Sequence, residues 1–156
     1  MPPPVPGVVL DCNIFVQALL KPNGPAGACK QLVDEGAITL FVSPQVLSEV
    51  AEVLARPRIR QLAPALTLSR IEAFFENITA KAVSITNVPK AFLFERDPKD
   101  EPYINLAIIA GAKYLVSRDR DLLDLMTLEG AGHAFRQRYP TLTILDPVAF
   151  LQVFKR

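Results

Sequence analysis

Tryptophan is absent from the 156-residue chain, histidine occurs once, at His133, and cysteine twice, at Cys12 and Cys29. A single histidine in a glycine-rich stretch, with no supporting motif, leaves Ser-His-Asp and Cys-His catalysis without a base. Two cysteines and one histidine make no four-ligand zinc site at any familiar spacing. Two cysteines are also too few for a disulfide framework, so both read as reduced thiols. The run around Gly24 and Gly27 lacks the P-loop pattern and no GxGxxG occurs, which excludes a glycine cradle for nucleotides. The longest apolar run, residues 106–112, falls far short of the roughly 20 residues that span a bilayer. Residues 1–7 show neither a basic n-region nor an apolar h-region, so a soluble, cytoplasmic protein is expected. Charge of either sign is in short surplus, with 17 Lys and Arg against 16 Asp and Glu. That balance rules out an acidic solvating tail and a basic coat for nucleic acid, so any polyanion must be met by a local patch.

What is present is apolar material: half of the residues are hydrophobic, enough for a core. The length suits one domain spanning residues 1–156. Residues 8–10, 38–42, 83–86, 114–116 and 142–145 are short, apolar and β-branched or aromatic, the pattern of strands covered on both faces. Helical patterns lie between them at 13–20, 25–35, 44–55, 68–82, 101–112, 119–126 and 147–154. Ser43-Pro44 and Asp146-Pro147 each set a capping oxygen before a first-turn proline, and Gly36 and Gly111 fall near helix ends. Alternating strands and helices predict a three-layer α/β/α sandwich around a central, mostly parallel five-stranded sheet.

Ligands of such sheets bind outside the carboxyl ends of the strands. Asp11 follows the first predicted strand, Ser117, Arg118 and Asp119 follow the fourth, and the loop from Glu95 to Asp100 opens the helix between. Aspartate is a favoured helix N-cap, so Asp11, Asp100, Asp119 and Asp146 each have a purely structural reading, preferred for Asp146. On the helix at 44–55 the apolar stripe runs through Val46, Leu47, Val50, Val53 and Leu54; Glu52 lies opposite, while Glu49 sits on the stripe's edge. If Asp11, Glu49, Asp100 and Asp119 converge, each close pair repels by about 4 kcal/mol at an effective dielectric near 20. Convergence therefore demands protons or divalent cations, and an all-oxygen ligand set selects hard ions, Mg²⁺ or Mn²⁺. An aspartyl-phosphate mechanism would want Asp-x-Asp after the first strand, and the chain has Asp11-Cys12-Asn13 there.

The stretches VVLDCNIFVQALL, SPQVLSEVAEVL and RDPKDEPYINLAIIAGAKYLVSRDRDLL together resemble the PIN-domain family of metal-dependent ribonucleases. Within it they are closest to prokaryotic toxin components of toxin–antitoxin systems, related to VapC. The resemblance spans residues 6–150 and rests on four acids in order. It places the family's acids on Asp11, Glu49, Asp100 and Asp119, with Asp97 as the neighbouring alternative for the third. It makes Asn13 and Ser117 supporting residues and Asp121 an extra carboxylate. Many relatives carry Gly where this chain has Arg118, a cation that narrows the pocket or contacts a phosphate. The resemblance implies Mg²⁺ or Mn²⁺, an RNA substrate cut to 5′-phosphate and 3′-hydroxyl ends, and inhibition by a small antitoxin protein. It also implies a homodimer formed through the helix carrying Leu68, Ile71, Phe74, Phe75 and Ile78. Of the scattered cations, Arg118 and Arg120 flank the fourth acid and are the best candidates for RNA contacts. With no tryptophan, base stacking falls to Phe or Tyr residues that the pattern does not place. A non-catalytic PIN-like module binding RNA or protein is the competing reading, with a phosphatase or flap-type nuclease behind it.

Overall fold

The computed structural model describes residues 5–127 and 129–154, so the proline-rich start at 1–4 lies outside the described residues. Its centre is a five-stranded sheet of β1 (Gly7–Leu10), β2 (Thr39–Val42), β3 (Val83–Ser84), β4 (Tyr114–Val116) and β5 (Thr143–Leu145), in the order β3-β2-β1-β4-β5. Every pairing is parallel. The expected α/β architecture is therefore present, with the sheet wholly parallel.

The helices are α1 (Cys12–Leu20), α2 (Pro25–Asp34), α3 (Pro44–Leu54), α4 (Pro57–Leu62) and α5 (Leu68–Lys81) in the first half of the chain. They continue as α6 (Glu101–Ala110), α7 (Arg120–Leu123), α8 (Ala131–Arg138) and α9 (Pro147–Val153), with short 3-10 turns at Pro98–Asp100 and Asp124–Met126. The central strands β1 and β4 are apolar on both faces because both faces are covered: Val8, Val9, Leu115 and Val116 are all fully buried. Helix α6 lies across β1, β2 and β4, while α1 packs on α2 and α3, and α2 on α9. Among the described residues no helix is long and apolar enough to cross a membrane.

Three expectations need correction. The strand expected at 83–86 is only two residues long and lies at the sheet edge, leaving Val83 exposed and not covered on both faces. The helix expected at 119–126 splits into α7 and a 3-10 turn. Helices α4 and α8 were not expected. Both are short, α4 carries Pro57 in its first turn, and α8 sits between Gly130 and Tyr139 with a mostly polar sequence.

Two glycines are required by geometry. Gly111 ends α6 with φ of 65°, a left-handed cap that L side chains resist. Gly27, inside α2, lies so close to the turn before it that an added Cβ would collide with the Pro22 carbonyl. Gly111→Ala is expected to cost about 1 kcal/mol, or roughly 2–4 °C of melting temperature in a chain of this size. Gly27→Ala must displace backbone, so its loss in a thermal melt is expected to be the larger; equal shifts would disprove the close contact.

Candidate metal centre

The parallel register of β1 and β4 sets Leu10 opposite Val116, and the Asp11 amide donates to the Val116 carbonyl at 2.9 Å. The next residue beyond each strand is therefore Asp11 on one side and Ser117 on the other. Both are buried. Ser117 Oγ donates to Asp11 Oδ2 at 2.6 Å and accepts from the Asp119 amide at 2.9 Å, so one hydroxyl joins the first and fourth predicted acids.

Capping accounts for part of each carboxylate. Asp11 Oδ1 accepts from the Cys12 amide at 2.7 Å to start α1, and Asp119 Oδ1 accepts from the Asp121 amide at 2.8 Å to start α7. Asp146 caps α9 through the Ala149 amide, the structural role expected for it. Asp100 differs. It occupies the N-cap position of α6 yet makes no capping bond, is only 6% exposed, and among the described residues its buried Oδ2 has no hydrogen-bond partner. A buried carboxylate oxygen left unpaired is costly, and such an atom in a native fold calls for an unseen partner.

Asp97, Asp100 and Asp119 present carboxylate oxygens that all lie within 4.8 Å of one another. Both alternatives for the third acid are thus brought together: the 3-10 turn Pro98–Asp100 folds Asp97 back beside Asp100, with Asp97 Oδ1 capping the turn at the Lys99 amide. Glu49, half-buried on α3, is close enough for its charge to act on Asp11, Cys12 and Tyr103. Tyr103, fully buried, also has a hydroxyl without a hydrogen-bond partner. Sequence reasoning missed Tyr103, although its place three residues after Asp100 on one helix puts both on the same face.

Charge is crowded here. Burial, with the Asp119 and Glu49 charges adding to it, pushes the Asp11 carboxyl up to about 6 despite the bonds from Ser117 and Cys12. Burial, then the charges of Asp11, Asp119 and Asp97, pushes Asp100 up to about 9. Burial likewise raises the Cys12 thiol to about 12 and, followed by the charges of Cys12, Glu49 and Asp11, lifts the Tyr103 phenol far above its usual range. Cys12 is therefore an inert thiol at the site's floor. A set of carboxylate oxygens, one of them unpaired and buried, fits a hard divalent cation.

The remaining predicted residues stand around this cluster. Asp121 is held by Arg96, whose Nε lies 2.5 Å from Asp121 Oδ1 while a terminal nitrogen reaches Asp124 Oδ2 at 2.7 Å. Arg118 is exposed and lines a cleft of about 370 Å³ with Gln17, Lys21 and Gly24 at the α1–α2 junction. Arg120 is exposed at the start of α7, and Asn13 is exposed in the first turn of α1.

The PIN-domain model matches residues 7–121, a span that contains all four predicted acids. The chain belongs to the PIN-domain family. The uncharacterized protein MJ1680 of Methanocaldococcus jannaschii is 31% identical over 119 residues, covering 76% of this chain and 74% of that protein. In fold, this PIN domain is similar to a chain of VapBC2 from Rickettsia felis, crystallised bound to a DNA fragment from their promoter. The TM-score is 0.52 at 17% identity, over 90% of this chain and 98% of that one. It is also similar to PAE2754 from Pyrobaculum aerophilum, with a TM-score of 0.54 at 13% identity, over 94% and 88% of the two chains. PIN domains are generally nucleases, and this one has an acidic cluster, Asp97, Asp100 and Asp119, that could hold a metal ion.

Asp11 and Asp100 are both raised above the ordinary 3.8. Between about pH 4 and about pH 9 the folded protein therefore holds more protons than the unfolded chain, and its cation-free stability falls as pH rises. Asp100→Asn removes the Asp100 share of that loss. The variant is expected to melt above wild type at pH 8 in EDTA, with the gap closing toward pH 4. A gap independent of pH would show that Asp100 is not the titrating group.

Proposed function

We propose that this PIN domain is a Mg²⁺- or Mn²⁺-dependent endoribonuclease and the toxin half of a toxin–antitoxin pair. The observation that carries the reading is the partnerless, buried Asp100 oxygen inside a cluster of acids at the ends of β1 and β4. Asp97, Asp100 and Asp119, whose oxygens converge, are the residues that would hold the cation, with Asp11 and Glu49 as the charges beside them. When bound, the cation supplies Lewis acidity at the phosphodiester and lowers the pKa of a water nucleophile. Ser117 fixes Asp11 and the start of α7 in one arrangement, so the ligand oxygens are preorganised. Asp100, raised by burial and by the neighbouring aspartates, would have to lose its proton to hold a cation, so affinity is expected to rise with pH. Asp121 contributes through Arg96 and not as an open ligand. Arg118 and Arg120, exposed on either side of Asp119, are the cations this reading assigns to phosphates of the RNA.

The toxin role is supported by the fold shared with VapBC2, and a small antitoxin is the partner this reading requires. Such a pair acts in the cytoplasm. Cleavage of a mixed-sequence labelled RNA by the antitoxin-free protein is expected with Mg²⁺ or Mn²⁺ and not with EDTA. Asp11→Asn is expected to lower the rate at least about a hundredfold while the circular dichroism spectrum stays unchanged. Metal-dependent cleavage surviving in that variant would overturn the assignment, and an absence of both cleavage and cation binding would leave a non-catalytic binding module.

A homodimer belongs to the same proposal. Helix α5 leaves Leu68 61% exposed and Phe74 and Phe75 half-buried, and Leu54, Leu68, Ile71 and Phe75 line a groove of about 380 Å³ between α3 and α5. Light scattering is expected to give twice the chain mass, falling to one chain mass in Leu68→Glu.

A further inference from the structure

Beside the acids lies a cavity of about 730 Å³, within the roughly 300–1,000 Å³ of small-ligand sites. We propose that it holds one nucleobase of the RNA, next to the phosphodiester that is cut; the inference rests on the ribonuclease reading. Its wall is aromatic. Phe92 meets Phe135 edge-to-face at 5.0 Å, and Phe135 meets Tyr139 at 5.2 Å. Phe135 is buried behind them, while Phe92 and Tyr139 keep part of their rings exposed. These are the stacking residues that the tryptophan-free sequence left unplaced.

The segment carrying Phe92 belongs to no helix or strand, yet it is pinned. Asn105, buried on α6, accepts from the Phe92 amide at 2.8 Å and donates to the Phe92 carbonyl at 3.2 Å. The cavity is therefore preformed and does not depend on an incoming ligand to order it.

Arg96 ties the cavity to the acids. It lines the cavity, adjoins Asp97 in sequence, and pairs with Asp121, whose amide in turn caps onto Asp119. The proposal therefore seats a base on Phe92 with the neighbouring phosphate directed, past Arg96, toward the acid cluster. Arg138, its guanidinium 5.6 Å from the Tyr139 ring, provides a second cation at the rim. Glu95 and Glu129 also line the cavity, and their carboxylates accept only. They suit a base edge rich in N–H donors, so bases with exocyclic amino groups are favoured over uracil. An acidic lining of this kind suits a neutral base better than a phosphate, and the aromatic faces suit any base.

Ala134 lines the cavity from the exposed face of α8, so Ala134→Trp fills it without removing a core residue. The probe is an RNA pentanucleotide with 2-aminopurine at its centre, bound in Mg²⁺ to the cleavage-impaired Asp11→Asn protein. Stacking is expected to quench its fluorescence saturably. Adding Ala134→Trp, or Phe92→Leu as a second variant, is expected to weaken binding at least tenfold with the folded spectrum retained, and competitors with uracil at the centre are expected to compete least well. No saturable quenching, or equal affinity in the filled variant, would overturn the proposal. So would a filled variant that binds RNA normally but escapes its antitoxin, which would make the cavity a protein-docking site. Because binding is read without cleavage, the two readings fail separately. RNA cut by wild type but bound equally by Ala134→Trp sinks only the base pocket; cavity-dependent binding with no cleavage in wild type sinks the ribonuclease.

Discussion

The pairing of β1 with β4 is the constraint on which the site depends. In the order β3-β2-β1-β4-β5 the chain runs outward from β1 to β3 and then returns to the other side of β1. Loops leaving β1 and β4 therefore diverge, and a crevice opens between them at the strands' carboxyl ends. Leu10 opposite Val116 puts Asp11 beside Ser117, and a shift of one residue would turn every side chain to the other face. Both faces of these strands are buried, so that shift would expose Val8, Val9, Leu115 or Val116 to the wrong layer. Core packing thus sets Asp11 beside Ser117, and the capping bonds of Asp11 and Asp119 complete the placement.

Hydrogen bonding explains why two carboxyls of similar burial behave differently. Asp11 and Asp100 are 4% and 6% exposed. Asp11 satisfies one oxygen with the Cys12 amide and the other with Ser117, and it rises only to about 6. Asp100 has a buried oxygen with no donor, faces three other aspartates, and rises to about 9. Donors stabilise an anion in place, whereas neighbouring anions and lost water do the reverse. The fold has invested its capping bonds in Asp11 and Asp119 and left Asp100 for something positive, either a proton or a cation. That asymmetry is what separates a metal-ready cluster from a set of helix caps.

Much of this was legible in the chain itself. Asp11 and Asp119 were readable because each follows a short apolar strand closely, and Glu49 because helical periodicity set it on the edge of an apolar stripe. Asp97 was visible only as a neighbour, since the Pro98–Asp100 turn that folds it inward has no periodic signal. The edge position of β3 was hidden because its apolar residues look like those of a covered strand. Helix α8 was hidden for another reason: its glycines and charged residues suit a loop, and packing of Phe135 against Phe92 holds it in place. Pinning of Phe92 by Asn105 joins residues from a loop and a helix, a long-range effect that local pattern cannot reveal.

The family match covers the acids fully and the adjoining cavity only in part. Residues 7–121 contain Asp11, Glu49, Asp97, Asp100, Asp119 and Ser117, the residues of the proposed cation site. Phe135, Arg138 and Tyr139 lie beyond residue 121, and with Phe92 they shape the adjoining cavity. Arg96 is the joint between the two parts, because its guanidinium grips Asp121 and Asp124 across the start of α7. That joint is partly exposed and so is screened by salt, but two carboxylates on one planar cation fix direction as well as distance. On the proposed reading, the acids follow the sheet while the aromatic wall packs around residues that lie largely beyond it, so the two can vary independently. A scaffold built this way can keep its acids while the residues lining the cavity change.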